Sequence, residues 1–422
     1  MKPLLILFIL LLSGCQFHQG AQVARPTPTS SLPVSSVPSA TPNMEAPSPT
    51  STATPKPTDM QGVPASMTLD EKLGQMVIAG IDGFTLNEQA RELITTYHVG
   101  GIILYKPNVK DTKQLVDLVN ELKLSNNGNP LPLWLGVDEE GGRVTRLPDE
   151  ITKTPSSQII GKTGKPAIAH DIGQLLGKEL LAYGLNMDFA PDLDVNSNPK
   201  NPVIGDRSFG ANATTVSTYG IPMMKGLQEM KVVPVVKHFP GHGDTSVDSH
   251  VGLPVVQNDL ARLRKLELVP FAEAIRQQAD AIMVAHILLP KIDSANPASM
   301  SKKIMTDLLR QELGFQGLIM TDDMTMGAIA ENYNMSEAAQ KSVLAGSNVV
   351  MVGHDPEKAM AVLKSLKAAV QAGTIPMATI DQSVAEVVRL KRKYLLQDRP
   401  VVAPDPKSLD LEVARVLAPI KK

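Results

Sequence analysis

The stretch KHFPGHGDTSVDSH, residues 237–250, places three histidines and two aspartates within fourteen positions. Such a segment could bind a metal, cradle a phosphate or transfer protons. For zinc, His238 and His242 stand four apart, with His250 and Asp244 or Asp248 to complete a ligand set. Histidines four apart face one way only on a helix, and Pro240, Gly241 and Gly243 preclude a helix here. No Gly-x-Gly-x-x-Gly or Walker pattern supports a phosphate cradle, so neither a metal nor a cofactor is expected. Proton transfer has better physics, because a histidine titrates near neutral pH and an adjacent carboxylate orients its ring. Asp248 and His250 are separated by one residue, so an extended loop would project both side chains to one side. The upstream glycines and proline suggest a hinge over 240–243 on which His250 swings, with His242 structural.

Other reactive residues follow apolar runs. Asp138 and Arg146 lie in DEEGGRVTR, Arg207 in NPVIGDRSFG, Lys237 and His238 at the head of the loop above, His286 in VAHI, and Asp322 in IMTDD. An aspartate fixed at the end of a strand suits a nucleophile, because loose placement forfeits proximity. Paired with a proton donor, it meets the needs of glycoside hydrolysis. Asp323 should point elsewhere in strand geometry, as a cap or ion-pair partner. His286 reads as a core hydrogen-bonder.

These residues need a scaffold that gathers strand ends. Eight apolar runs, at 75–81, 100–105, 131–137, 185–191, 232–239, 281–288, 317–323 and 348–353, alternate with amphipathic segments such as TKQLVDLVNELKL and PEKAMAVLKSLKAAVQAG. Continuous apolar strands alternating with helices imply a parallel sheet covered on both faces. Eight repeats in about 330 residues predict a (β/α)8 TIM-type barrel, whose chemistry sits at the carboxyl ends of its strands. TLDE, Thr68 with Glu71, forms a capping-box pattern at the start of the folded part.

The segment LLRQELGFQGLIMTDDMT, 308–325, resembles the nucleophile signature of family 3 glycoside hydrolases. DEEGGRVTR and KHFPGHGDTSVDSH are similar to the family's β-N-acetylglucosaminidase branch, and the resemblance covers about 66–396. It implies a barrel fold, Asp322 as nucleophile, His250 as acid/base oriented by Asp248, and sugar contacts from Asp138, Arg146, Arg207, Lys237 and His238. One departure is Glu139, where relatives often carry Gln, with little consequence expected. The Asp-x-His pair and the lack of room for the second domain that supplies the acid in many β-glucosidases favour N-acetylglucosaminides. Retaining hydrolysis of terminal N-acetylglucosamine from peptidoglycan fragments is the expected activity. The alternatives are another β-glycosidase specificity, phosphorolysis, or a non-catalytic wall-binding lipoprotein.

The amino terminus supports that setting. MKPLLILFILLLSGC reads as a signal peptide over 1–15, and LSGC resembles the lipobox of bacterial lipoproteins, with Cys15 lipidated. The apolar run is too short to span a bilayer. Residues 16–66, rich in Pro, Ser and Thr, read as a disordered linker, followed by the barrel at 67–396 and a tail at 397–422. The expected location is extracytoplasmic and anchored to the membrane through Cys15. With 41 basic against 43 acidic residues, no nucleic-acid partner is implied. The one cysteine excludes an intramolecular disulfide.

Overall fold

The computed structural model describes residues 63–420, so the signal peptide, Cys15 and most of the linker lie outside the described residues. Eight parallel strands close into one barrel in chain order. They are β1 Val77–Gly80, β2 Gly101–Ile103, β3 Trp134–Val137, β4 Met187–Asp188, β5 Val233–Phe239, β6 Ala281–Val284, β7 Leu318–Asp323 and β8 Val349–Val352. Each lies inside one of the apolar runs, trimmed at the ends where the chain turns into a loop. Pairing of Ile78 with Gly101 on one side and with Met351 on the other closes the circle.

Alternation along the strands sorts two layers. Ile78, Ile103, Trp134, Met187, Val235, Met283, Met320 and Met351 fill the barrel. Val77, Ala79, Ile102, Leu135, Val236, Ile282 and Ile319 join the apolar faces of the surrounding helices in the larger core. The helix Met377–Lys393 seals the amino-terminal end, adding Val387 and Leu390 to the inner cluster along with the adjacent Tyr394. There the buried Lys391 Nζ donates to Gln75 Oε1 (2.7 Å), Gly100 O (2.8 Å) and Pro132 O (2.6 Å), and stands 4.7 Å from the Trp134 ring centroid. This end is therefore filled.

The capping box forms as expected, with Glu71 N–H donating to Thr68 Oγ1 and Thr68 N–H to the Glu71 carboxylate. One amphipathic stretch, 260–278, divides into Leu260–Lys265 and Leu268–Arg276. Pro270 explains the break, because it has no N–H for the carbonyl of residue 266 and its ring would strike that group. After the barrel, the helix Pro406–Leu417 packs on Pro166–Ala182 and buries Val413 and Leu417. Among the described residues no helix is long and apolar enough to cross a membrane.

Candidate active site

The carboxyl ends of the strands surround a cavity of about 220 Å³. Asp138, Arg146, Arg207, Lys237, His238, Asp248, His250 and Asp322 all line it, so every residue singled out for catalysis or sugar binding is brought to one place. Two strand registers slip at this end, β5–β6 between Val236 and Phe239 and β7–β8 between Met320 and Asp323. Such irregularities re-aim side chains. They fall where Lys237–His238 and Asp322–Asp323 enter the cavity, although neighbours on a regular strand would face opposite ways. The Lys237–His238 peptide is cis.

A relay of alternating charges forms one wall. Arg146 Nη2 is 3.5 Å from Asp138 Oδ2, and Lys237 Nζ is 2.6 Å from Asp138 Oδ1 and 2.8 Å from Glu140 Oε1. Arg207 grips Glu140 with two bonds, 2.8 Å from Nε and 2.7 Å from Nη2. Burial alone would raise Asp138 and Glu140, but Lys237 with Arg146, and Arg207 with Lys237, hold the two carboxyls below their ordinary range. Burial likewise opposes the charge on Lys237, and the two carboxylates overrule it and raise its pKa. The site thus keeps ionised groups in a largely buried wall, where they act more strongly on a bound polar ligand than they would in water. Arg146 retains spare capacity, since its buried Nε–H has no partner among the described residues.

His238 is held neutral. Burial and then Arg207 push it down to about 4. Its Nδ1 lies 2.7 Å from Asp194 Oδ2, while Arg207 Nη2 approaches Nε2 at 3.4 Å. Asp192, Asp194 and His238 are the described residues whose ligand atoms, within 4.8 Å of one another, could hold a cation. Asp192 Oδ2 is buried without a hydrogen bond, but the Arg207 guanidinium stands 3.8 Å from it and already supplies the positive charge. The zinc set weighed from sequence therefore shares only His238 with this cluster.

Asp322, the next-to-last residue of β7, has its Oδ1 accepting the N–H of Asp323 at 2.8 Å, and Oδ2 accepts no bond from the described residues. Asp323 borders the same cavity rather than pointing elsewhere, but its carboxylate is occupied as an ion-pair and hydrogen-bond partner. Its carboxylate receives Thr325 N–H, Thr325 Oγ1–H, Gly353 N–H and His354 Nδ1, at 2.7–2.9 Å. Burial opposes ionisation of Asp323, and these donors overcome it. Gly353 is glycine for space, since a β-carbon there would lie 2.1 Å from Tyr105 Oη. His286, fully buried between Ser299 Oγ (2.6 Å) and the Asp323 carbonyl (3.0 Å), is a core hydrogen-bonder.

Asp248 Oδ1 accepts both the N–H and the Nδ1 of His250, each at 2.8 Å. These bonds overcome the raising effect of partial burial and lower the Asp248 pKa. The pairing is as expected, but its backbone is not extended. Residues 248–252 form a turn, with the Val251 and Gly252 N–H groups both donating to the Asp248 carbonyl. An aspartate that captures the N–H two residues on makes its own turn. The His250 side chain is 64% exposed, and its Nε2 has no partner among the described residues.

The proposed hinge over 240–243 also needs correction, because these residues are buried and fastened. The His242 N–H donates to Asp194 Oδ1 (2.6 Å), and its ring is held by Thr245 Oγ1 (2.8 Å) and Ser249 Oγ (3.0 Å). A β-carbon at Gly243 would lie 1.8 Å from the Val195 carbonyl. Glycine here serves close packing rather than motion. His242 is structural, and burial and then His238 push its pKa down to about 4.

Sequence reasoning did not single out Glu140, Asp192, Asp194, Tyr105 or His354. The His354 ring stacks on Tyr105 (centroids 4.4 Å apart) and bonds to Asp323, which raises its pKa. Glu140 had a signal, because it alternates with Asp138 along the chain leaving β3. Glu139, between them, faces away and accepts the Arg146 and Leu147 N–H groups.

A family model described as Glycosyl hydrolase family 3 N terminal domain matches residues 68–390. The chain is 37% identical over 333 residues to Beta-hexosaminidase A of Pseudoalteromonas piscicida, covering 73% of this chain and 56% of that protein. It is 36% identical over 372 residues to Beta-hexosaminidase LpqI of Mycobacterium tuberculosis, covering 86% of this chain and 92% of the relative. Among solved structures, a glycoside hydrolase family 3 beta-N-acetylglucosaminidase from Paenibacillus sp. matches with a TM-score of 0.78 at 40% identity, covering 84% of this chain and 69% of the other.

Proposed function

This chain belongs to glycoside hydrolase family 3, and from that premise we propose that it is a retaining β-N-acetylglucosaminidase acting on terminal, non-reducing β-linked N-acetylglucosamine. The observation that carries this reading is the shared cavity of Asp322 and the Asp248–His250 pair. The relatives' names as beta-hexosaminidases support the choice of sugar.

In the first half-reaction an Asp322 oxygen attacks the anomeric carbon as the bond to the leaving oxygen breaks. His250 Nε2–H delivers its proton to that oxygen. The Asp248 bond to Nδ1 leaves Nε2 as the exchanging nitrogen and stabilises the cationic ring. Neutral Nε2 then takes a proton from water, whose oxygen attacks the anomeric carbon and releases Asp322. Two displacements return the original configuration. Asp138, Arg146, Arg207, Lys237 and His238 hold sugar hydroxyls, with Glu140 bracing Arg207 and Lys237. Turnover of aryl β-glycosides tests the specificity. N-acetylglucosaminide should lead glucoside and xyloside by at least about tenfold in kcat/KM, and equal turnover of glucoside would reject the sugar assignment.

We further propose peptidoglycan fragments as the natural substrate and a membrane anchor at Cys15. The support is the lipobox-like LSGC followed by a Pro/Ser/Thr-rich stretch. The full chain should fractionate with membranes and the Cys15→Ala chain should not. Identical fractionation of the two would remove the anchor from the account.

A further inference from the structure

The loop bearing His250 meets the segment that follows the nucleophile strand. After Asp323 the chain turns through Met324–Met326 into the short helix Gly327–Ala330. The first amides of a helix have no partner within it. Here the Gly327 N–H donates to the His250 carbonyl (3.2 Å) and the Ala328 N–H to the Ser249 carbonyl (3.0 Å). From the other side, the Ser249 hydroxyl bonds to His242 Nε2 at 3.0 Å, and His242 is itself buried and fixed. Residues 249 and 250 are thus clasped between the β5 loop base and the β7 loop, while Val247 and Val251 on either side are exposed.

The contact is too close for any residue but glycine at 327. A β-carbon there would lie 2.7 Å from the His250 carbonyl oxygen, 2.9 Å from the Val251 carbonyl carbon and 3.0 Å from the Val251 oxygen. All three are backbone atoms, so relief requires the loop itself to move. Gly327 has no positive φ, so this closeness, rather than backbone conformation, is what excludes a side chain. Gly252, in the same loop, provides the contrast, because a β-carbon there meets only Val247 Cγ1 at 3.8 Å.

We propose that the Gly327–Ala328 amides are the latch that sets the position of His250, and that Gly327 is a positioning residue for proton transfer. The latch ties acid/base placement to the segment leaving the nucleophile strand. Because the clasp holds main chain, it fixes the height of the His250 ring over the cavity without touching substrate.

This inference rests on the reading of His250 as acid/base, and the test separates the two. Gly327→Ala and Gly252→Ala are compared with the unmodified full chain on two N-acetylglucosaminides. One carries 2,4-dinitrophenolate, which leaves without a proton, and the other an alkoxide, which needs one. For Gly327→Ala, kcat/KM on the alkyl glycoside should fall roughly 10- to 100-fold, because misplaced general acids lose much of their effect. The dinitrophenyl value should stay within about twofold, and Gly252→Ala should resemble the unmodified chain on both. Amide hydrogen exchange over 249–251 and 327–328 should quicken in Gly327→Ala alone. Ser249→Ala should give the same split from the other side of the clasp, which keeps the test decisive should Gly327→Ala fail to fold. An equal fall on both substrates, or no change on either, overturns the latch. Should the unmodified chain turn over neither substrate, the functional reading falls and hydrogen exchange alone decides the latch.

Discussion

Glu140→Gln tests whether the charged wall of the cavity is one cohesive unit. The native carboxylate is 2% exposed and accepts three short bonds, two from Arg207 and one from the equally buried Lys237. Glutamine keeps the shape but removes the negative charge, and its amide N–H₂ group must face one of the two cations. Breaking a buried ion pair from one side typically costs about 3–5 kcal/mol, because the remaining charge loses its compensation. Lys237 retains Asp138, which argues for about 3 kcal/mol rather than the upper figure. Urea denaturation at pH 7 measures this directly. The folded-state pKa of Glu140 is depressed, so its contribution is present above the unfolded value of about 4.3 and is lost as pH falls through the folded value. The gap between native and variant should therefore narrow in acid. The same variant should lose roughly 10- to 100-fold in kcat/KM on the aryl N-acetylglucosaminide, since Lys237 and Arg207 lose their fixed positions. A stability change under about 1 kcal/mol would refute the cohesive wall. Lost activity at full stability would also refute it, by putting Glu140 on the substrate instead of between the cations.

Two further outcomes follow from the same structure. Glu179 is buried with Oε1 unpartnered, and burial, followed by Glu139, Asp410 and Glu412, pushes its pKa up to about 9. The unfolded chain releases this proton above about pH 4.3 while the folded chain retains it, so the site costs stability increasingly as pH rises toward 9. Glu179→Gln should gain about 1–3 kcal/mol at pH 7 and nothing at pH 4, and a gain that does not grow with pH in urea melts contradicts this. His250→Ala should spare kcat/KM for the dinitrophenyl glycoside and lower it about 10²- to 10⁴-fold for an alkyl glycoside. Added azide should speed its turnover of the former by attacking the glycosyl intermediate, and the absence of glycosyl azide among the products would contradict the role.

Much of the site was legible because a barrel gathers what its strand ends carry. Apolar runs marked all eight strands, and the polar residues at or just past their carboxyl ends, Asp138, Lys237, His238 and Asp322, share one cavity. The side chains that brace them were harder to find. In Asp138-Glu139-Glu140 three carboxyls stand together, and only the fold shows that Glu139 turns to backbone amides while Glu140 meets two cations. Tyr105 and His354 are single residues after β2 and β8, about 250 positions apart, with nothing local to link them. The loop at 237–250 misled in its backbone. Gly243 and the Asp-x-His spacing suggested mobility and extension, whereas tertiary contact fixes the glycine and the aspartate folds its own turn. Rules based on residue type register a glycine's freedom but not the Val195 carbonyl packed against it.

The most direct test of the account is trapping the glycosyl intermediate. A 5-fluoro-N-acetylglucosaminyl fluoride slows both steps and should inactivate the enzyme with one sugar bound per chain. Peptide mapping by mass spectrometry should place that sugar on the peptide containing Asp322, at its carboxylate and not at Asp323. A label on another residue, or steady turnover of the substrate by Asp322→Asn with inversion at the anomeric carbon, would contradict the central claim.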